Sequence, residues 1–133
     1  LDEGNAWVGN IFINPPFGTR DGRSLQGMFF SKCVKEYNAG NIKQAVLLLK
    51  AGVGYTWFRE VFMWPHCFMH QRLSFVRNAG DSTEMRWLSG SQNPHGSVVV
   101  YMGPALQKFV HVFGTIGSIP GANAWAHVDK SRA

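Results

Sequence analysis

The chain has 133 residues, 45% of them hydrophobic and 16% charged, a balance that fits one globular domain and excludes a disordered or fibrous polypeptide. Thirteen basic against eight acidic side chains give a formal net charge of +5, a mild bias toward a polyanionic partner. The longest apolar run, Ala45-Val46-Leu47-Leu48-Leu49, falls far short of the ~20 residues needed for a helix to cross a bilayer.

Trp7 to Ile13 reads WVGNIFI, apolar and rich in aromatic and β-branched residues, and predicts a buried strand. It stops at Asn14-Pro15-Pro16, because neither proline can donate to a ladder. Thr19 to Ser24 is a polar, glycine-containing loop, and Ser24 can cap a helix whose apolar positions Met28, Phe29, Cys33, Val34 and Tyr37 recur at helical spacing until Gly40 ends it. Gln44 to Lys50, bounded by Gly40-Asn41 and Gly52-x-Gly54, predicts a second buried strand.

Thr56 is the expected cap of a short helix, Trp57 to Met63, closed by Trp64-Pro65 because the residue before proline avoids helical angles. Cys67 to Val76 is again strand-like. Arg77 to His95 reads as a long polar loop around Met85-Arg86-Trp87-Leu88, with a short hairpin as the alternative. Ser97 to Met102 predicts a strand, and Leu106, Phe109, Val110 and Phe113 a helix; after Pro120 a loosely ordered tail is expected.

This alternation is that of a parallel or mixed α/β sheet covered on both faces, in which ligands bind beyond the carboxyl ends of strands. Asn14-Pro15-Pro16-Phe17 falls at such an end. An exocyclic amine conjugated to a purine is a poor nucleophile, and two acceptors aimed at its hydrogens help the nitrogen become tetrahedral. The Asn14 side-chain oxygen and the Pro15 main-chain oxygen can be those acceptors, while the prolines fix φ and remove competing N–H groups. Phe17 can stack on a base swung out of its helix, and Gly18 lets backbone approach closely. The bland alternative is that Asn-Pro-Pro only punctuates a strand.

From the Trp7 strand into Asn14-Pro15-Pro16-Phe17, through the Phe29 to Tyr37 helix, Ala45 to Leu49, Thr56-x-Phe58, Arg72-Leu73-x-Phe75 and Ser97 to Val100, to Phe109-x3-Phe113-Gly114-x2-Gly117, the chain resembles the phage-type DNA N-6-adenine methyltransferases. More broadly it resembles the amino-methyltransferases with an Asp/Asn-Pro-Pro-Tyr/Phe motif. The resemblance spans roughly 7–117 of a single domain, 1–133, leaving 118–133 as the tail. It implies a Rossmann-like methyltransferase sheet covered by helices, S-adenosylmethionine as cofactor and a flipped adenine in DNA as substrate. Asn14, Pro15 and Phe17 match the amine-binding and base-stacking positions and Pro16 the rigidifying one. It also implies a phage-encoded protein working in bacterial cytoplasm.

The family carries a stretch before this strand that helps form the cofactor pocket, whereas six residues precede Trp7 here. Leu1-Asp2-Glu3-Gly4 has no initiator methionine or signal-peptide pattern, as expected of an excised piece of something larger whose cofactor pocket is completed by an upstream segment or a partner chain. No cofactor-binding residue is assigned from the sequence; Gly114-Thr115-Ile116-Gly117 resembles a permuted cofactor loop but follows a helical pattern instead of a strand.

Arg20 and Arg23, just after the motif, are candidate phosphate clamps, with an ordinary solvated loop as the alternative. Arg77, Arg86 and Trp87 are candidate contacts to DNA, or to RNA. His66, Cys67 and His70 invite a zinc reading, but on a strand four residues hold the imidazoles ~13 Å apart, and no metal is expected. Trp57, Phe58, Phe62 and Trp64 read as core, and Lys32, Lys35 and Lys43 as solvated charges. Cys33 and Cys67 suggest reduced, buried thiols of a cytosolic protein. The alternatives are a non-catalytic methyltransferase-like nucleic-acid-binding or structural subunit, and a methyltransferase acting on RNA bases or protein glutamine.

Overall fold

The computed structural model describes residues 4–71, 73–77, 83–87 and 96–124, with 73–77 and 83–87 described as backbone. The fold is mixed α/β around a five-stranded sheet of order β1-β4-β8-β5-β9. Strand β1 (Gly9–Ile13) runs parallel to β4 (Ile42–Lys50), and β8 (Ser97–Met102) is antiparallel to both β4 and β5 (His66–Met69). Therefore β1, β4 and β5 share one direction, and the carboxyl ends of β1 and β4 meet at one edge. The short β9 (Gly117–Ser118) closes the far side against β5.

Alternation along the strands builds a core on each side of the sheet. Ala45, Leu47 and Leu49 of β4 and Val98, Val100 and Met102 of β8 face α1 (Leu25–Asn38) and a 3₁₀ helix (Thr56–Met63), which contribute Phe30, Cys33, Val34, Phe58 and Val61. On the other side Leu48, Cys67, Val99 and Tyr101 pack with Ile119 and with Phe109 of α2 (Leu106–Phe113). Cover on this second side is partial: Phe12 of the edge strand β1 is 62% exposed.

Strand β1 starts at Gly9 rather than Trp7, and the reason is local. The Trp7 N–H donates to Glu36 Oε2 at 3.2 Å, and Gly9 adopts φ +81 with a shift in register against β4. Lys32 is likewise not a solvated charge. It is buried, 3.1 Å from Glu36 Oε1 and 2.7 Å from the Asn5 carbonyl oxygen, because the N-terminal segment folds back over α1; Lys35 and Lys43 are exposed as expected.

Hydrogen bonds from Asn41 and Lys32, and from the Trp7 backbone, hold the Glu36 carboxyl below its ordinary value of 4.5. A carboxylate lowered in this way stabilises the fold above the unfolded-state pKa, and the stabilisation is lost as pH falls through the folded one. The thermal midpoint should therefore drop between about pH 5 and pH 3, with a shallower slope in Glu36→Gln. Identical slopes in the two proteins would remove Glu36 as the cause.

Ser24 caps α1 as expected, its Oγ accepting from Gly27 N–H at 3.2 Å, and Gly40 follows the helix at φ +84. Thr56 does not cap the short helix. That position falls to Tyr55, whose carbonyl accepts from Phe58 N–H at 3.0 Å with no side-chain cap, so the segment is bound as a 3₁₀ helix by backbone alone. The expected strand from Cys67 to Val76 divides into β5 and β6 (Leu73–Arg77), and β6 pairs with β7 (Thr83–Trp87), which lies within the expected polar loop.

Beyond Pro120, the Asn123 side chain bonds Ile119 N–H, Gly114 O and Gly117 O at 2.6, 2.8 and 3.1 Å, tying down 119–123; 125–133 lie outside the described residues. No helix among the described residues is long and apolar enough to cross a membrane.

Candidate functional site

Strand β1 delivers Asn14-Pro15-Pro16-Phe17 to the carboxyl edge of the sheet, where the sequence places it. Asn14 and Pro16 are exposed, Pro15 is buried and Phe17 is half-exposed. The Pro15 carbonyl lies against Gln26 of α1, while Asn14 and Phe17 reach the surface beside it.

Thr19 to Ser24 is a minimal hairpin rather than an open loop, β2 (Thr19–Arg20) pairing with β3 (Arg23–Ser24). The turn residues Asp21 and Gly22 both have positive φ, 53° and 77°, as Asp-Gly does in a tight two-residue hairpin of type I′. This register sets Arg20 directly across from Arg23, both exposed. Gly18, at φ +101, links motif and hairpin, and its carbonyl accepts from Leu25 N–H at 3.0 Å.

The residue that sequence reasoning missed is Gln26. It is 1% exposed, in the first turn of α1, and its amide bridges two segments: Nε2 donates to Pro15 O at 2.8 Å, and Lys50 N–H donates to Oε1 at 2.9 Å. A buried amide is costly unless both ends are satisfied, and here both are. The only sequence signal was a polar residue on the helix face that carries Phe30 four positions later.

Past β4, Lys50 Nζ lies 4.6 Å from the centre of the exposed Tyr55 ring, a cation–π contact, and Ala51 N–H reaches Gly96 O at 2.8 Å. Trp57 packs against the backbone of Gly27 and Gly52, where a Cβ would come within 2.8 Å of Trp57 Cγ and 3.6 Å of Trp57 Cζ2 respectively. Its Nε1 is buried with no hydrogen-bond partner among the described residues, at the junction of α1 and the carboxyl end of β4. The aromatic group around the short helix is core in Phe58, while Phe62 remains 46% exposed.

The other candidates do not join this cluster on what is described. The β6–β7 register pairs Arg77 with Thr83 and Arg86 with Ser74, so the two arginines are not cross-strand partners. The side chains of Arg77, Arg86 and Trp87, and Arg72 of the Arg-Leu-x-Phe pattern, lie outside the described residues. His66 lies in β5 with Nδ1 at 2.7 Å from Trp64 O, whereas His70 follows the strand and pairs with Ser118 Oγ at 3.0 Å. Burial pushes the Cys33 thiol up to about 12 and that of Cys67 to about 11, and both are unbridged.

Gly114 caps α2, and Gly117 is required for packing, since a Cβ there would strike Cys67 Sγ and approach Phe68 O at 2.6 Å. The Gly114 to Gly117 stretch is therefore a helix end and a close strand contact rather than a strand-to-helix cofactor loop. A cavity of about 260 Å³ lies between α2 and the sheet, lined by Gln44, Val46, Tyr101, Lys108, Phe109 and Phe113 among others, but it includes no motif residue.

No family model, no curated protein and no solved structure matches this chain.

Proposed function

We propose that this chain supplies the acceptor side of an amino-directed methyltransferase, whose substrate is the exocyclic amine of adenine in DNA and whose methyl donor is S-adenosylmethionine. What carries the reading is the motif at the carboxyl edge: an exposed Asn14 amide beside a Pro15 carbonyl fixed by Gln26, with the Phe17 ring half-exposed next to them. Asn14 Oδ1 and Pro15 O accept hydrogen bonds from the two N–H groups of the amine and orient its lone pair, and the one proton that the amine loses on methylation leaves to solvent. Phe17 supports the flipped base by stacking. Positioning and fixed dipoles do the work, so no general base of shifted pKa is needed. The donor's own site is assigned to no described residue.

Arg20 and Arg23 grip phosphates flanking the base. Each phosphate contact releases counterions, so Arg20→Ala and Arg23→Ala should each flatten the plot of log affinity against log salt by about 0.7 to 0.9, with little change in sequence preference. Fluorescence anisotropy with labelled DNA across a salt series measures it. Unchanged slopes would return the hairpin to a solvated turn.

A second reading rests on the exposed Arg20 and Arg23 hairpin alone: the chain is a methyltransferase-like nucleic-acid-binding subunit that transfers no methyl group. Labelled S-adenosylmethionine incubated with the protein and adenine-containing DNA separates the two. Methyl transfer to N6 of adenine supports catalysis. DNA binding without transfer, including from the parent reading frame, supports the subunit. Transfer to RNA or to a protein glutamine, with none to DNA, changes the substrate.

A further inference from the structure

The orientation of Gln26 is determined by its partners. The backbone N–H of Lys50 can only donate, so it must meet the Gln26 oxygen; the amide nitrogen must then face Pro15, whose carbonyl can only accept. A flipped amide would set donor against donor and acceptor against acceptor. The geometry points to Gln26 as a positioning residue that fixes the Pro15 carbonyl so that one lone pair is occupied and the other is held for the substrate amine. This inference rests on the amine-pocket reading above.

The consequence is selectivity between base edges. The exposed Asn14 amide can rotate to offer either its oxygen or its NH₂, so by itself it receives an amino group or an oxo group equally well. Pro15 O cannot change character. Pro15 and Pro16 carry no N–H, Pro15 has its φ locked, and its ψ is confined by the proline that follows. An oxo group opposite the braced carbonyl leaves two acceptors facing each other, which costs roughly 10- to 100-fold in affinity. Gln26 matters because it keeps the carbonyl from turning away from that encounter. It also joins the motif to the end of β4, so the two parallel strands present their carboxyl ends as one rigid edge.

Glutamate at this position provides a chemical test. Ionised, its carboxylate accepts from Lys50 N–H but repels Pro15 O; protonated, its O–H restores donation to Pro15 O. The protein is compared with Gln26→Ala and Gln26→Glu by two measurements between about pH 5 and pH 8, a range set by the carboxyl's ordinary and burial-raised values. One is the carbonyl ¹³C shift of Pro15, which reports the hydrogen bond. The other is affinity for single-stranded oligonucleotides bearing adenine or hypoxanthine, in which an oxo group replaces the amino group and the neighbouring ring nitrogen gains a proton.

We expect the wild type to favour adenine by roughly 10- to 100-fold, Gln26→Ala to lose most of that preference at every pH, and Gln26→Glu to regain it as pH falls, in step with the Pro15 shift. A Pro15 shift that moves in Gln26→Ala while the adenine preference stays intact overturns the positioning role and leaves Gln26 a structural brace. A wild type with no preference for adenine overturns the amine-pocket reading itself, and the positioning role with it.

Discussion

Asn14→Ala should lower kcat for methyl transfer to adenine by about 100- to 1,000-fold, the usual effect of deleting one preorganised polar partner of a reacting group. The fold should hardly notice. Asn14 is exposed beyond the end of β1 and outside both core clusters, so the change in unfolding free energy should stay within about 0.5 kcal/mol. Affinity for DNA should also change little, because Arg20 and Arg23 remain. Asn14→Asp keeps an acceptor oxygen in place and should retain most of the activity. Single-turnover transfer over a range of DNA concentrations, read beside a urea melt of each variant, checks all four statements. Full transfer by Asn14→Ala would show that Asn-Pro-Pro only ends a strand.

Phe30→Ala should cost about 3 to 5 kcal/mol of stability, a large part of the 5 to 15 kcal/mol that holds a domain of this kind together. Phe30 is 1% exposed, belongs to the larger core and packs its ring 6.5 Å from that of Trp57. Its loss leaves a cavity under α1 that neighbouring strands β4 and β8 cannot collapse to fill. The damage should reach the candidate site as well. Gln26 lies one turn earlier on the same face of the helix, so a tilt of α1 pulls its amide from Pro15 O and Lys50 N–H. The denaturant midpoint measures the first effect and the Pro15 carbonyl shift the second. A loss below about 1 kcal/mol would mean that α1 is not held by this contact.

Much of the fold is legible in local pattern. Ser97 to Met102 is a β-branched run and becomes the fully buried central strand; Ser24, the apolar spacing after it and Gly40 mark α1 to within two residues. Periodicity cannot see partners far along the chain. Trp7 reads as strand until the Glu36 carboxylate takes its N–H, and Lys32 reads as solvent-facing until the N-terminal segment covers it. Thr56 has a capping side chain but stands one residue too late to cap. The direction of β8, antiparallel to both neighbours, is likewise invisible in a strand's own residues.

The candidate site divides along the same line. Sequence alone determined that a strand ends at Asn14-Pro15-Pro16-Phe17, because proline lacks the donor a ladder needs, and that two arginines follow closely. Tertiary structure decided that β1 lies parallel to β4, that Arg20 and Arg23 stand opposite each other, and that Gln26 ties Pro15 to Lys50. Each of these depends on atoms brought together by folding: a helix returned across the sheet, a turn with two positive φ angles, and a buried amide that needs a partner at both ends.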